Sequence, residues 1–229
     1  MATVGTASTA DTTQLHQLVA LAVERTYESF QSYRLGSSMI VRRPDVTSAE
    51  VSALGGPVHL VPAAAIDRWL PHAISTWGTG ADLQALVPRV LELFATGALA
   101  SPPEVIFSKL RQAGARTWST DEQSAIEDVI TAVWLATLAS DPPRSGQPAW
   151  RLLVAMAELS GDLRPFLDDW TLLLGSGTVE GQAARRHLHN LTRRVQGLAD
   201  LGLGVDALFW SRRDREADLL QRWLVEPFR

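Results

Sequence analysis

The sequence has no cysteine and only one lysine, Lys109, in 229 residues. Without cysteine the chain has no disulfides, no thiolate metal ligands and no cysteine nucleophile. Its 21 Lys+Arg residues are outnumbered by 25 Asp+Glu residues, which gives a formal net charge of −4. This balance does not favour nucleic acid or an anionic membrane as a partner.

Long apolar runs are also absent, because no stretch approaches the ~20 apolar residues that a membrane-spanning helix needs. Residues 1–13 are rich in alanine, threonine and serine, and they lack the basic and apolar regions of a signal peptide. The sequence therefore predicts a cytoplasmic protein with a flexible N-terminal tail at residues 1–13 and no membrane contact.

Apolar residues recur at helical spacing through almost the whole chain, and no segment shows convincing period-two alternation. This pattern predicts the all-α class, with an irregular array of about ten antiparallel helices arranged as a bundle or a short α-solenoid. A repeat with a fixed period of about 33–47 residues is not evident, which argues against a regular repeat array.

Local signals predict several helix boundaries. Thr47 with Glu50, and Ser119 with Glu122, have the spacing of capping boxes at helix starts. Pro71 should split the helix that contains Trp69. Pro88 should distort or restart the following helix in its first half.

The Pro-rich loop 141–148 is the best candidate for a division of the chain. It would separate an N-terminal helical half, residues 14–140, from a C-terminal helical half, residues 149–229. The apolar stripes on both sides predict that the two halves pack as one domain.

The segment 76–94 closes one helix on Trp77, turns on Gly78-Thr79-Gly80 and opens the next helix. A glycine-rich turn of this kind suggests a phosphate loop, but such loops follow a β-strand, and here a helix precedes the turn. We therefore expect an interhelical turn with Trp77 as a packing anchor. Most of the eight tryptophans lie in apolar stripes, which predicts that they are core residues.

Residues with catalytic or ligand chemistry are scattered rather than clustered. His187 and His189 are two residues apart, so on a helix they point in divergent directions and cannot share a metal. Asp168-Asp169 is better explained as a solvated helix face, and the glycine-rich stretch 175–181 as a helix-capping turn. The sequence therefore predicts no catalytic residues, no metal and no cofactor.

Polar residues within apolar segments define a candidate partner or ligand surface. Arg89 and Glu92 are three residues apart and share a helix face, where they could line a pocket with His72 or form a structural ion pair. A second candidate is the arginine stripe near the C-terminus, which could bind phosphates or an acidic partner, although a partly paired, solvated face explains it better. The candidate residues are His72, Trp77, Arg89, Glu92, Arg185, Arg186, Arg193 and Arg194.

Short motifs in the central part of the chain resemble a group of uncharacterised bacterial all-helical proteins. The motifs are Thr76-Trp77-Gly78, Val87-Pro88-Arg89, Leu91-Glu92-Leu93, Thr117-Trp118 with Glu122, and Trp134. In that group the first three read Thr-Trp-Gly, Leu-Pro-Arg and Leu-Glu-Leu. The similarity spans residues 27–140; it implies an all-helical fold and carries no known activity. Members have a small cysteine cluster upstream, where this chain has Val41 to Val46 and no cysteine.

The leading functional hypothesis is a non-enzymatic scaffold or adaptor that binds another protein through a groove between helix pairs, with a homo-oligomer also plausible. One alternative is an enzyme or small-ligand binder with an interhelical pocket, which would have to measure roughly 300–1,000 Å³. A second alternative is nucleic-acid binding through the Arg-rich C-terminal helices, which the negative net charge disfavours.

Overall fold

A computed structural model describes residues 6–36, 39–143, 146–209 and 211–225 of the chain. These residues form ten α-helices and no β-strand, which confirms the predicted all-α class. The helices are α1 Thr6–Ser29, α2 Ser48–Leu54, α3 Ala63–Trp69, α4 Gly80–Ala95, α5 Pro103–Gln112, α6 Thr120–Ala139, α7 Ala149–Met156, α8 Arg164–Gly175, α9 Val179–Ala199 and α10 Asp214–Val225.

The chain divides into two compact units. The middle unit comprises Ala20–Val129, and the terminal unit combines Met1–Val19 with Ile130–Arg229. The boundaries fall inside α1 and α6, whereas the Pro-rich loop 141–148 lies within the terminal unit. Residues 6–13, which the sequence assigns to a flexible tail, belong to α1, and residues 1–5 lie outside the described part.

Helix starts in the middle unit follow the local signals. At Thr47 and Glu50 the side chain of each residue accepts a hydrogen bond from the backbone N–H of the other, and this confirms the predicted capping box before α2. The same reciprocal pair forms between Ser119 and Glu122 before α6. Each box satisfies two N–H groups that a helix start leaves without intrahelical partners.

The two prolines predicted to disturb helices behave differently. Pro71 ends α3 as expected, since the chain tightens into a 3₁₀ turn at Leu70–His72. The prediction of a restart at Pro88 is wrong, because α4 runs without interruption from Gly80 to Ala95. Proline costs one backbone hydrogen bond, here to the carbonyl of Gln84, but both sides of α4 are buried, so packing holds the helix together.

The segment between α3 and α4 is an interhelical turn. The indole N–H of Trp69 donates to the carbonyl oxygen of Trp77 at 3.1 Å, and both side chains are fully buried. Gly78 has a φ of +84°, a conformation that L side chains rarely adopt. Thr79 then caps α4 in a capping box with Asp82. The sequence predicted the turn and the Trp77 anchor, but not this box.

In the terminal unit, tryptophans on three helices join neighbouring helices as well as filling space. Each indole N–H donates a hydrogen bond to an oxygen on another helix. The pairs are Trp134 to the Phe166 carbonyl at 3.2 Å, Trp170 to the Ala184 carbonyl at 3.0 Å, and Trp223 to the Thr171 hydroxyl at 2.8 Å. The rings also pack on one another, with Trp170 lying 5.5 Å from Trp134 and 5.2 Å from Trp223 between centroids.

We predict that Trp69→Phe destabilises the middle unit more than Trp77→Phe. Both changes remove the same atoms from a buried site, but only the Trp69 N–H has a partner; the Trp77 N–H has none among the described residues. Loss of the Trp69 donor leaves a buried carbonyl unpaired, which costs about 1–3 kcal/mol beyond the lost packing. Urea denaturation of the two variants measures the difference. Equal losses would show that the hydrogen bond adds nothing to stability.

Candidate functional site

Arg89 and Glu92 form the ion pair that their spacing predicts, with 2.8 Å between the guanidinium and the carboxylate. The Arg89 Nε also donates to the carbonyl of Val61 at 2.8 Å, and the hydroxyl of Tyr27 donates to Glu92. These bonds fasten α4 to α1 and to the chain just before α3. The pair is thus part of a network that holds Tyr27 in place.

Tyr27 lines a cleft of about 380 Å³ in the middle unit. Its walls come from the C-terminal end of α1 and the chain that follows, the loop after α2, and one face of α4. The lining residues are Tyr27, Phe30, Gln31, Tyr33, Arg34, Leu35, Gly55, Gly56, Pro57, Val58, Ala85 and Pro88. The volume lies within the range of small-molecule sites, and most of the lining is aromatic or aliphatic.

Aromatic rings form one wall of the cleft. The chain has only two tyrosines, and both line the cleft. Phe30 lies between them in sequence, with its ring centroid 5.9 Å from that of Tyr33 and 5.7 Å from that of Trp118. Edge and tilted ring contacts at these distances are favourable, so the wall is preorganised.

Carboxylates act on the hydroxyl groups of both tyrosines. The Tyr27 hydroxyl donates to Glu92. Burial first, and then the bond to Glu92, raises the pKa of Tyr27 above its ordinary value of 10.0. Interaction with the Glu122 carboxylate is the main cause that raises the pKa of Tyr33. The two phenols therefore present neutral rings to the cleft.

Glu122 is a buried carboxylate, 4% exposed, behind Tyr33. Burial acts to raise its pKa, but hydrogen bonds from Tyr33, Ser119 and Gln84 outweigh burial and lower it. The Gln84 amide donates to Glu122 at 3.0 Å, which ties α4 to the start of α6. The capping carboxylate therefore remains ionised and also orients one wall of the cleft.

Arg34 is the one charged side chain that lines the cleft. Its Nη1 donates to the backbone carbonyls of Gln31 and Tyr33, the latter at 2.7 Å. No carboxylate among the described residues lies within ion-pair distance of Arg34; elsewhere in the middle unit Arg25, Arg43, Arg68 and Arg89 pair with acids. The Arg34 side chain is exposed, and the two hydrogen bonds to backbone carbonyls of the same turn hold its guanidinium in place.

His72 is not among the residues that line this cleft. Its ring lies against Arg43, with 2.7 Å between Nη1 and Nδ1, and Arg43 in turn pairs with Asp45. Burial and then the nearby charges of Arg43 and Arg68 lower the pKa of His72, so a neutral ring accepts from Arg43. The interpretation of His72, Arg89 and Glu92 as the polar lining of one pocket is therefore not supported by where these side chains lie.

Trp77 is a core residue, 1% exposed, and so does not form part of a surface.

The backbone just before Trp77 is strained at one residue. Ile74 has a φ of +71°, which is rare for a β-branched residue. Lys109 donates from Nζ to the carbonyl of Ala73 at 2.9 Å, and burial lowers the pKa of this lysine. Together these contacts fix the turn between α3 and α4.

Three of the four predicted arginines of α9 have partners within the terminal unit. Arg185 donates to the carbonyls of Leu174 and Ser176, which carry the negative end of α8. Arg186 pairs with Asp141 at 2.6 Å, and the Arg194 guanidinium lies 5.5 Å from the centre of the Trp150 ring. Arg193 is exposed. These contacts support the interpretation of a solvated, partly paired face; Trp210, also near this region in sequence, lies outside the described residues.

The described residues contain no group of three or more acidic, histidine or cysteine side chains arranged to hold a metal ion. His187 is buried and its Nε2 lies 2.8 Å from the Ser140 carbonyl, a structural contact. Among the described helices, none is both long and apolar enough to cross a membrane.

The cleft itself was not anticipated from the sequence. The candidate surface predicted from the sequence includes none of the residues that line the cleft. The carboxylate partners, Glu92 and Glu122, are too distant in sequence to be paired by spacing.

The chain matches no protein-family model, and comparison with curated proteins and with solved structures finds no significant similarity.

We predict that the free energy of unfolding falls as the pH rises above 10. Both tyrosines have a pKa raised above 10.0 in the folded state, so their stabilising contribution is complete below pH 10 and is lost as each phenol ionises. Urea denaturation across this pH range, with ultraviolet absorbance of tyrosinate, measures the effect. Tyr27→Phe should make the decline shallower; an unchanged slope would contradict the assigned role of Tyr27.

Proposed function

We propose that this protein is a non-enzymatic binding protein and that the cleft between α1, α4 and the 55–58 loop holds the apolar part of a small ligand. The observation that carries the proposal is a cleft of about 380 Å³ walled by Tyr27, Phe30 and Tyr33. Sites of this kind, apolar with a few placed polar groups, are typical of small-molecule binding.

The contacts of the lining favour binding over chemistry. The Tyr27 hydroxyl is held as a donor to Glu92, and the raised pKa values of both tyrosines keep them protonated at neutral pH. A phenol in that state is neither a general base nor a nucleophile, because both roles need the ionised form. What the walls offer a ligand is ring surface and shape.

The walls are also rigid enough to be preformed. Ala85 and Pro88 are buried on α4, three residues apart, and Phe30 is buried against Trp118. The Arg89–Glu92–Tyr27 network ties α1 to α4 on one side of the cleft. A site that is already assembled loses little conformational entropy when a ligand enters.

We predict that Ala85→Leu abolishes binding of small aromatic probes while the protein stays folded. The added carbons enter the cleft from the buried face of α4 and take up ligand volume. Titrations of indole and 3-phenylpropanamide, followed by ligand-observed NMR, measure saturable binding in the unchanged protein and in the variant. Ala199→Leu, the same change at an exposed position of α9, is the matched control.

Retention of binding in Ala85→Leu would show that the probes bind elsewhere. The proposal is overturned if neither of these probes nor the corresponding acid, 3-phenylpropanoate, binds saturably to the unchanged protein. Thermal melting of each variant separates a blocked cleft from an unfolded unit.

A second candidate function is association with another protein chain through α1. The observation that favours it is a pair of exposed leucines one turn apart, Leu18 at 44% and Leu21 at 60% exposure. Leucines three residues apart lie on one helix face and can serve as anchors for a partner helix.

We predict that, if α1 joins two copies of the chain, Leu18→Glu with Leu21→Glu lowers the mass measured by light scattering from dimer to monomer. Leu172→Glu, at a 77% exposed leucine of α8, is the matched control and should leave the mass unchanged. A monomer mass for the unchanged protein at all concentrations would rule out self-association by this helix.

A further inference from the structure

The guanidinium of Arg34 makes the cleft favour a ligand with a negative charge. The two N–H groups of Nη1 face the carbonyls of Gln31 and Tyr33. The Nε and Nη2 groups on the other edge of the guanidinium have no protein acceptor among the described residues. That edge presents two parallel N–H donors, which is the arrangement that a carboxylate accepts in a bidentate pair.

The other charges around the cleft are already balanced or bonded. Glu92 is paired with Arg89, and Glu122 accepts hydrogen bonds from Ser119 and Gln84. Neither carboxylate lines the cleft. The charge that a ligand meets at the lining is therefore the guanidinium of Arg34.

We propose that the cleft binds a small organic carboxylate whose apolar body, an aromatic ring or a short aliphatic chain, lies against Tyr27, Phe30 and Ala85. Its carboxylate takes the Nε–Nη2 edge of Arg34. This inference rests on the proposed function, and it adds the class of ligand: an amphipathic acid rather than an amine or a neutral compound.

The volume of the cleft and the positions of its lining residues agree with such a ligand. A volume of about 380 Å³ accommodates one ring with a short side chain. The buried residues of the lining, Phe30, Ala85 and Pro88, form its inner wall, whereas Arg34 and Gln31 are exposed. An acid would thus bind with its ring inward and its charge toward the opening, where the carboxylate keeps part of its hydration.

Three probes with one scaffold test the inference: 3-phenylpropanoate, 3-phenylpropanamide and 3-phenylpropylamine, titrated by calorimetry at low salt. We expect the acid to bind at least about tenfold more tightly than the amide, and the amine to bind most weakly, because a charge-assisted bidentate pair is stronger than a hydrogen bond between neutral groups. Arg34→Gln should weaken the acid about tenfold and leave the amide unchanged. Arg34→Lys should restore only part of the acid affinity, since lysine lacks the fork.

Arg193→Gln is the matched control, because it removes the same charge from an exposed position of α9. If it weakens the acid as much as Arg34→Gln does, the preference comes from net charge and the inference is overturned. Equal binding of acid and amide to the unchanged protein also overturns the inference but leaves the proposed function standing. If none of the three probes binds, the proposed function itself is wrong.

Discussion

The fold depends on one recurring interaction, a buried indole whose N–H donates to an oxygen on another part of the chain. Trp69 does this across the turn before α4, and Trp134, Trp170 and Trp223 do it between helices of the terminal unit. Each bond contributes only about 0.5–1.5 kcal/mol net, but it fixes the rotation and height of the helix that carries it. The large ring contributes buried apolar area, and the hydrogen bond of the N–H group fixes the position of one helix relative to the next. An all-helical protein without disulfides gains a single packing arrangement in this way.

One wall of the cleft is held by the same kind of interaction, made by a tyrosine instead of a tryptophan. A phenol, like an indole, combines an apolar ring with one polar group, and the Tyr27 hydroxyl donates to Glu92 on another helix. The Glu122 carboxylate caps α6 and also raises the pKa of Tyr33. One carboxylate therefore takes part both in the start of a helix and in the electrostatics of the cleft wall.

The sequence predicts those features that depend on residues a few positions apart. The capping boxes at Thr47 and Ser119, the break at Pro71 and the Arg89–Glu92 pair all involve residues a few positions apart, and all are present. The continuity of α4 through Pro88 was not predictable, because burial on both sides outweighs the local cost of proline. The cleft was missed for a related reason: its walls come from residues 27–35, 55–58 and 85–88, and no local pattern brings these segments together.

Lys109 has a consequence for the chemistry of the whole chain. It is the only lysine, it is 7% exposed, and its amine is bonded to the carbonyl of Ala73. In the folded middle unit no other lysine side chain exists for an acyl or ubiquitin group to modify, and this one is shielded from the reagent. Labelling of Lys109 therefore requires its amine to leave the Ala73 carbonyl and become exposed. The rate at which an acylating reagent labels Lys109 reports how often this contact opens.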